Sequence, residues 1–453
     1  MTLEAALALI AELQAQHAAM QTENARLQAE NAALTQRVAA LEAGARLPPS
    51  WVKANRKPRA AATGPRRRRA AEQNHGRPRG EPTACVQHAY AACPDCGYPL
   101  RGQAVRRRRA VLEIPEAAVT LTEHQILTRY CPACAAYKTP RVSFAGMVLG
   151  QGRIGVRLAS LIGALRTSYR LPLAQIQSLL AAVHGVHRSL GGVQDILARL
   201  RRQLAPVHGQ IVAQTRASPV LHMDETGWRQ NGQNGYLWVQ ATDGPPATRL
   251  YTYDRSRSGQ VARDLLADFG GVLSTDFYAV YDQYAGPQQR CWAHLLRDAH
   301  ALGEAYPNRP DVREWVAALK GLFTGARNLD LSACTQRERA KVARELERRT
   351  RALATCYRHT ADHPARVLAQ RLHRYESELF EFLRTPGVSP TNNLAERTVR
   401  PQVIIRKISG GSRSPDGSAI RCDLATLFQT WAARGLNPFA ACLDALQTPS
   451  PQL

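Results

Sequence analysis

Three acidic residues set the terms for any chemistry in this chain. Leu221 to Trp228 reads LHMDETGW and places Asp224 behind a short apolar run. Fifty-two residues on, Gly271 to Tyr278 reads GVLSTDFY, and Val272-Leu273 leads to Asp276 in the same way. Glu396 stands in PTNNLAER, Pro390 to Arg397, which reads as the start of a helix. Two strand-end aspartates and one helical glutamate are the oxygen donors that two Mg²⁺ ions need for phosphoryl transfer. Local sequence offers Glu396 a structural use as well: Asn393 can cap the helix with Glu396 three residues on, and Arg400 follows one turn later as an ion-pair partner. Both uses stay open at this level. The neighbouring cations Arg397, Arg400, Arg406 and Lys407 favour the catalytic one, because they would hold substrate phosphates. His294, on a helix expected over 291–302, would order an attacking group or a phosphate, or serve as a satisfied structural histidine.

Sulfur supplies a second donor set. Cys93-Pro94-Asp95-Cys96 and Cys131-Pro132-Ala133-Cys134 are two CxxC pairs, with a run of mostly β-forming residues, Val111 to Tyr130, before the second. Each pair points two thiolates from one tight turn, and two such turns complete a tetrahedral Cys₄ zinc site; redox or core cysteines are the alternative. Cys85 and His88 read as bystanders. With ten cysteines, most of the others scattered in helical contexts, a reducing cytosol fits better than a disulfide framework.

A chain of 453 residues is too long for one core and implies two or three globular units with extensions. Net charge is +24, and residues 45–110 alone hold sixteen Arg or Lys against three acids. A polyanion is the natural partner, and nucleic acid is the commonest one. Arg66, Arg67, Arg68 and Arg69 lie in a linker too polar to fold alone, suited to lie along phosphates without sequence choice. Arg106, Arg107, Arg108 and Arg109 would project from the zinc ribbon as a second phosphate-contacting cluster. No apolar run approaches the ~18 residues of a membrane span. Glu4 and Glu12 interrupt the N-terminal apolar stretch and argue against a signal peptide.

The positioning elements follow from periodicity. From Leu3 to Leu41, Ala6, Leu13, Met20, Leu27, Leu34 and Leu41 occupy one heptad position, and Leu3, Ile10, His17, Asn24, Asn31 and Val38 the other. Six heptads predict a coiled coil, and buried Asn24 and Asn31 favour a parallel dimer in fixed register. Over 156–204 the spacing turns helical, with a Gly185 turn and a basic second helix over 189–202 carrying Arg199, Arg201 and Arg202, as in a helix-turn-helix or in a merely structural hairpin. After Asp224 come a turn at 231–235, a strand at 236–242, a turn at 243–246, a strand at 249–254, an amphipathic helix at 258–269 and the Asp276 strand. Meander, helix and returning strand form the ribonuclease H-like order, in which the first and fourth strands are neighbours and carry both aspartates to one edge. The 120 residues between Asp276 and Glu396 read as a helical insertion.

Taken together, the N-terminal zipper, the CxxC pairs, MDET at 223–226, TDFYAVYD at 275–282, CWAH at 291–294 and NNLAERTVRP with RK at 392–407 resemble DDE transposases of the insertion-sequence 66 family. The resemblance spans nearly the whole chain. It implies that Asp224, Asp276 and Glu396 are the catalytic triad of a Mg²⁺- or Mn²⁺-dependent polynucleotidyl transferase with two ions per site and one structural Zn²⁺. It further implies cleavage at element ends, joining of 3′ ends to target DNA, accessory proteins of the same element, and a bacterial cytoplasm with nucleoid association. The expected order is a coiled coil (1–44), a basic linker (45–84), a zinc ribbon (85–140), a helix-turn-helix-like region (141–215), the first part of a ribonuclease H-like α/β core (216–302), a helical insertion (303–386) and the last part of the core (387–453). The competing expectations are a non-enzymatic zinc-containing DNA-binding regulator and an inactive, domesticated transposase.

Overall fold

The computed structural model describes residues 3–44, 84–102, 105 and 119–448. Arg66 to Arg69, Arg106 to Arg109 and the 111–118 part of the β-forming run lie outside the described residues. The chain divides into two units, Met1–Glu113 and Ile114–Leu453.

In the first unit, helix α1 (Leu3–Gly44) carries the heptads. Its described side chains are all exposed, Met20, Leu27 and Leu34 of the apolar seam among them. Farther on, Cys93 opens a tight turn in which its carbonyl accepts the Gly97 N–H and its N–H donates to the Tyr98 carbonyl.

The second unit begins its regular structure with a hairpin, β1 (Arg129–Cys131) and β2 (Ala136–Lys138), whose turn holds the other CxxC pair. Among the described residues of the expected β-forming run, Arg129 and Tyr130 lie in a strand and 119–128 is irregular. Four helices follow: α2 (Val156–Thr167), α3 (Leu173–His184), α4 (Leu190–Gln203) and α5 (Ala205–Arg216). Gly185 ends α3 in the left-handed region at φ 64°, and Ser189 caps α4 by accepting the Gly192 N–H. Arg201 and Arg199 pair with Asp423 and Asp195, while Arg202 is exposed.

The sheet comprises β3 (Val220–Gln230), β4 (Gln233–Thr242), β5 (Thr248–Asp254), β6 (Val272–Thr275) and β7 (Gln288–Arg290), in the order β5-β4-β3-β6-β7. The first three strands are antiparallel neighbours, and β3, β6 and β7 run parallel. Asn231 and Gly232 both have positive φ, so the β3–β4 connection is a two-residue turn of the hairpin-favouring kind rather than the five-residue turn expected. Helix α6 (Gly259–Leu266) is shorter than its amphipathic pattern and covers one face through Ala262 and Leu266 against Leu221, Met223 and Leu273.

Helices α7 (Trp292–Ala305), α8 (Pro310–Arg327), α9 (Gln336–Thr355), α10 (Arg366–Tyr375) and α11 (Glu381–Arg384) share a core of their own around Trp292, Trp315 and Phe380. The last three helices are α12 (Asn393–Ser409), α13 (Pro415–Ala433) and α14 (Pro438–Gln447). Ala395, Val399 and Ile405 of α12 and Ala425 of α13 cover the second sheet face against Trp228, Leu237 and Val239. Gly411 sits at φ 120° with its would-be Cβ 2.1 Å from the Arg229 carbonyl, so only glycine lets the chain leave α12 and hydrogen-bond beside the end of β3. No helix among the described residues is long and apolar enough to cross a membrane.

Candidate metal centre

Asp224 is not at a strand end, contrary to the sequence expectation: β3 continues six residues past it, paired with β4. On the opposite side, however, pairing with β6 stops at His222. Asp224 therefore borders the sheet's parallel half, and a long hairpin ladder conceals this in the sequence. The pairs Val220↔Val272, Leu221↔Leu273 and His222↔Ser274 share the offset that separates Asp224 from Asp276. The two aspartates thus occupy the same level, two positions beyond the last pair, on neighbouring strands spaced about 4.8 Å apart in a regular sheet.

Glu396 arrives from the first turn of α12. The N-cap residue is Asn392 rather than Asn393, and no side chain caps the helix; the Glu396 N–H donates to the Asn392 carbonyl. Among the described residues Glu396 makes no ion pair with Arg400, so neither structural use suggested by the local sequence is present. Its Oε1 is buried without a hydrogen-bond partner and lies 3.6 Å from His294 Nε2.

Electrostatics join the three acids. Burial, the adjacent Glu225 charge, and the charges of Asp276 and Glu396 push the Asp224 carboxyl up to about 7, against the Glu225 N–H that it accepts at 2.8 Å. A group of half-buried, mutually repelling carboxylates with an unsatisfied oxygen fits a divalent cation, which would relieve both costs at once. Asp276 Oδ1 accepts the Tyr278 N–H at 2.9 Å, which orients it.

Residues that sequence reasoning missed hold this arrangement. Asn392 is buried; its Nδ2 donates to the Met223 carbonyl at 2.7 Å and its Oδ1 accepts from His222 Nδ1 at 3.0 Å. The Asn392 N–H donates to Cys291 Sγ at 3.1 Å. The Cys291 N–H in turn bonds the Thr275 carbonyl, and the Trp292 N–H bonds the Pro390 carbonyl. One clamp thereby joins β3, β6 and the starts of α7 and α12. Asn392→Ala would orphan two buried neutral groups, at ~1–2 kcal/mol each. Urea unfolding is expected to show a loss of about 2–4 kcal/mol; an unchanged midpoint would remove Asn392 from this role.

Glu225 is a fourth acid, and its side chain is buried. Arg257 donates to its Oε1 at 2.9 and 2.5 Å and the Tyr281 hydroxyl donates to its Oε2, so this carboxylate is already engaged. Arg290 is fully buried; it bonds Glu378 and Asp282 at 2.6 Å each and the Asp276 carbonyl at 2.9 Å. Arg397, Arg400 and Lys407 are exposed on α12, whereas Arg406 donates to Thr226 Oγ1 at 3.1 Å and to the Gly227 carbonyl and ties α12 to β3. Glu225, Cys291, Asn392 and Arg406 lie within the MDET, CWAH and NNLAERTVRP–RK stretches, but no local pattern marks their internal partners.

Each CxxC pair occupies its own turn. The Asp95 and Cys96 N–H groups hold the Cys93 thiol below its usual range, and those of Cys134 and Ala133 do the same for Cys131. Lowered thiols on tight turns suit zinc ligation.

A mixed α/β sheet brings half-buried acids to the edge of its parallel half, an arrangement that suits a divalent cation. A family model described as transposase IS66 family matches residues 151–420, and one described as the zinc-finger binding domain of transposase IS66 matches 91–135, which includes all four CxxC cysteines. The chain belongs to the IS66 transposase family. Membership implies DNA as partner, divalent-metal use and zinc. Three proteins of Sinorhizobium fredii, each called uncharacterized, are similar. The chain is 26% identical to y4jD over 385 residues, covering 79% of this chain and 74% of that one. It is 25% identical to y4hP over 334 residues, 65% and 59% of the two chains, and 27% identical to y4qI over 228 residues, 45% and 41%.

Proposed function

We propose that the chain is the transposase of an insertion sequence, binding the element's DNA ends and catalysing metal-dependent strand cleavage and 3′-end transfer at Asp224, Asp276 and Glu396. The observation that carries this reading is the common register of the two aspartates, with Glu396 close enough to raise the Asp224 pKa. The strand order, with its antiparallel meander and parallel half, supports a ribonuclease H-like core over 216–302 and 387–453, interrupted by a helical insertion at 303–386. The helical pair α3–α4 within 141–215 serves as the helix-turn-helix-like DNA-binding region, and the 85–140 segment as a ribbon closed by one Zn²⁺ on Cys93, Cys96, Cys131 and Cys134.

Two Mg²⁺ or Mn²⁺ ions held by the three carboxylates would make water, and later a 3′-hydroxyl, nucleophilic and offset charge on the leaving oxygen. The protein's part is placement. Asp224 and Asp276 present oxygens from adjacent strands, and Glu396 closes the set from the helix. His294, beside Glu396, orders the attacking group or a phosphate. Exposed Arg397, Arg400 and Lys407, with the basic segments around Arg66 to Arg69 and Arg106 to Arg109, hold the DNA backbone; Arg406 secures the helix that carries the others. No nucleophilic side chain is required.

The test uses labelled DNA carrying the element's ends, incubated with the full chain in Mg²⁺, Mn²⁺ or EDTA. Metal-dependent nicks at the 3′ ends are the expected result. Binding without cutting in either metal would instead support the regulator or the inactive transposase.

The exposed apolar seam of α1 supports a parallel two-stranded coiled coil (1–44) that brings two sites to two ends. Deleting 1–44 is expected to halve the mass seen by light scattering; an unchanged dimer would place the contact elsewhere.

A further inference from the structure

We propose that Cys291, His294 and Glu396 form a second kind of metal site, one for a borderline transition metal of the Zn²⁺ or Co²⁺ class. Donor atoms of the three residues all lie within 4.8 Å of one another. The 3.6 Å between His294 Nε2 and Glu396 Oε1 is too long for a hydrogen bond, yet close to the roughly 3.3 Å edge of a tetrahedron built on 2.0–2.1 Å zinc bonds. Glu396 Oε1 is buried and has no hydrogen-bond partner. Cys291 is fully buried, and its sulfur accepts the Asn392 N–H, the kind of outer donor that steadies a ligating thiolate.

Local structure explains the convergence. Cys291 caps α7 and His294 lies three residues on, so both project from its first turn. Glu396 projects from the first turn of α12, and the Trp292–Pro390 hydrogen bond staples the two helix starts together. Both N-terminal dipole ends favour the anionic thiolate and carboxylate. Thiolate and imidazole discriminate against Mg²⁺, which takes oxygen donors, and favour zinc-like ions; three protein ligands leave a fourth position open. Glu396 then serves two donor sets, and an ion on this one draws it from the aspartates. Only that last consequence rests on the proposed cleavage reaction; binding of the ion does not.

The experiment counts ions without DNA. The full chain is stripped of metal, reloaded with Co²⁺, freed of loose ion by gel filtration and analysed for cobalt and for thiolate-to-cobalt absorption. The wild type is expected to retain one ion more than Cys291→Ser and His294→Gln, with the absorption lost in Cys291→Ser matching a single sulfur ligand. The same one-ion difference is expected in a background carrying Cys93→Ser, Cys96→Ser, Cys131→Ser and Cys134→Ser, which removes the signal of both CxxC pairs. Circular dichroism confirms folding, and should Cys291→Ser unfold, the half-buried His294→Gln decides alone. Equal cobalt content in wild type and folded variants would overturn the proposal, whether or not the chain cuts DNA.

Discussion

Asp224→Asn is expected to abolish strand cleavage while making the metal-free chain more stable at pH 8. The carboxyl is pushed up to about 7, first by burial and then by Glu225, with Asp276 and Glu396 adding to it. A folded pKa above the unfolded one means that the native state binds the proton more tightly. The resulting stability is fully present below about pH 4 and is lost as the pH rises through 7. A shift of about three units is worth at most about 4 kcal/mol, since each unit is about 1.4 kcal/mol. Asparagine carries no such charge, so in EDTA the variant should gain about 2–4 kcal/mol over wild type at pH 8 and little at pH 4.5. Urea unfolding at the two pH values checks this, and parallel pH dependences would contradict it. DNA binding should survive, because the change removes a negative charge from a basic protein. Loss of binding together with cleavage would argue against a catalytic role for Asp224.

Arg290→Ala should cause the largest loss of stability among the substitutions considered. Its guanidinium is fully buried and bonds Asp282, Glu378, Thr275 Oγ1 and the Asp276 carbonyl, with its plane over Tyr375 at 4.6 Å. Asp282 also pairs with Arg374 and accepts from the Tyr375 hydroxyl, so one cation fastens the inserted helices to the strand end that carries Asp276. Removing Arg290 strips Glu378 of its cation and leaves Asp282 with Arg374 alone, at about 3–5 kcal/mol for a broken buried pair. Thermal and urea unfolding should show that loss, and cleavage should fall with it as Asp276 loses its support. A change below about 1 kcal/mol would mean that the cluster is solvated and does not fasten the insertion.

The acids were legible in the sequence because apolar runs lead directly into Asp224 and Asp276, and strand alternation is a local signal. Their common level was not legible. It depends on the parallel pairing of β3 with β6, across a meander and α6, which no local pattern encodes. The same limit hid the position of Asp224 within β3, since the strand continues only through its ladder with β4. Glu396 looked ambiguous because a capping box and a metal ligand require the same residue at the same helix position; the observed cap, Asn392, resolves that by spending its side chain on Met223 and His222 instead. Arg290 read as one more cation in a strongly basic chain, and Arg406 as a phosphate-holding cation beside Glu396. Their burial and internal partners arise only when α7, α12 and the inserted helices meet the sheet. Cys291 looked like one more scattered thiol for the same reason.

Metal shared by Asp224, Asp276 and Glu396 can be mapped directly. Fe²⁺ in place of Mg²⁺, with ascorbate and peroxide, breaks the backbone near a bound ion, and mass spectrometry locates the cuts. In a His294→Gln chain whose CxxC pairs are first filled by Zn²⁺, cuts are expected to cluster around 224, 276 and 396 and to disappear in excess Mg²⁺ and on adding Asp224→Asn. Cuts around one or two of these segments, or cuts that Asp224→Asn leaves unchanged, would contradict it.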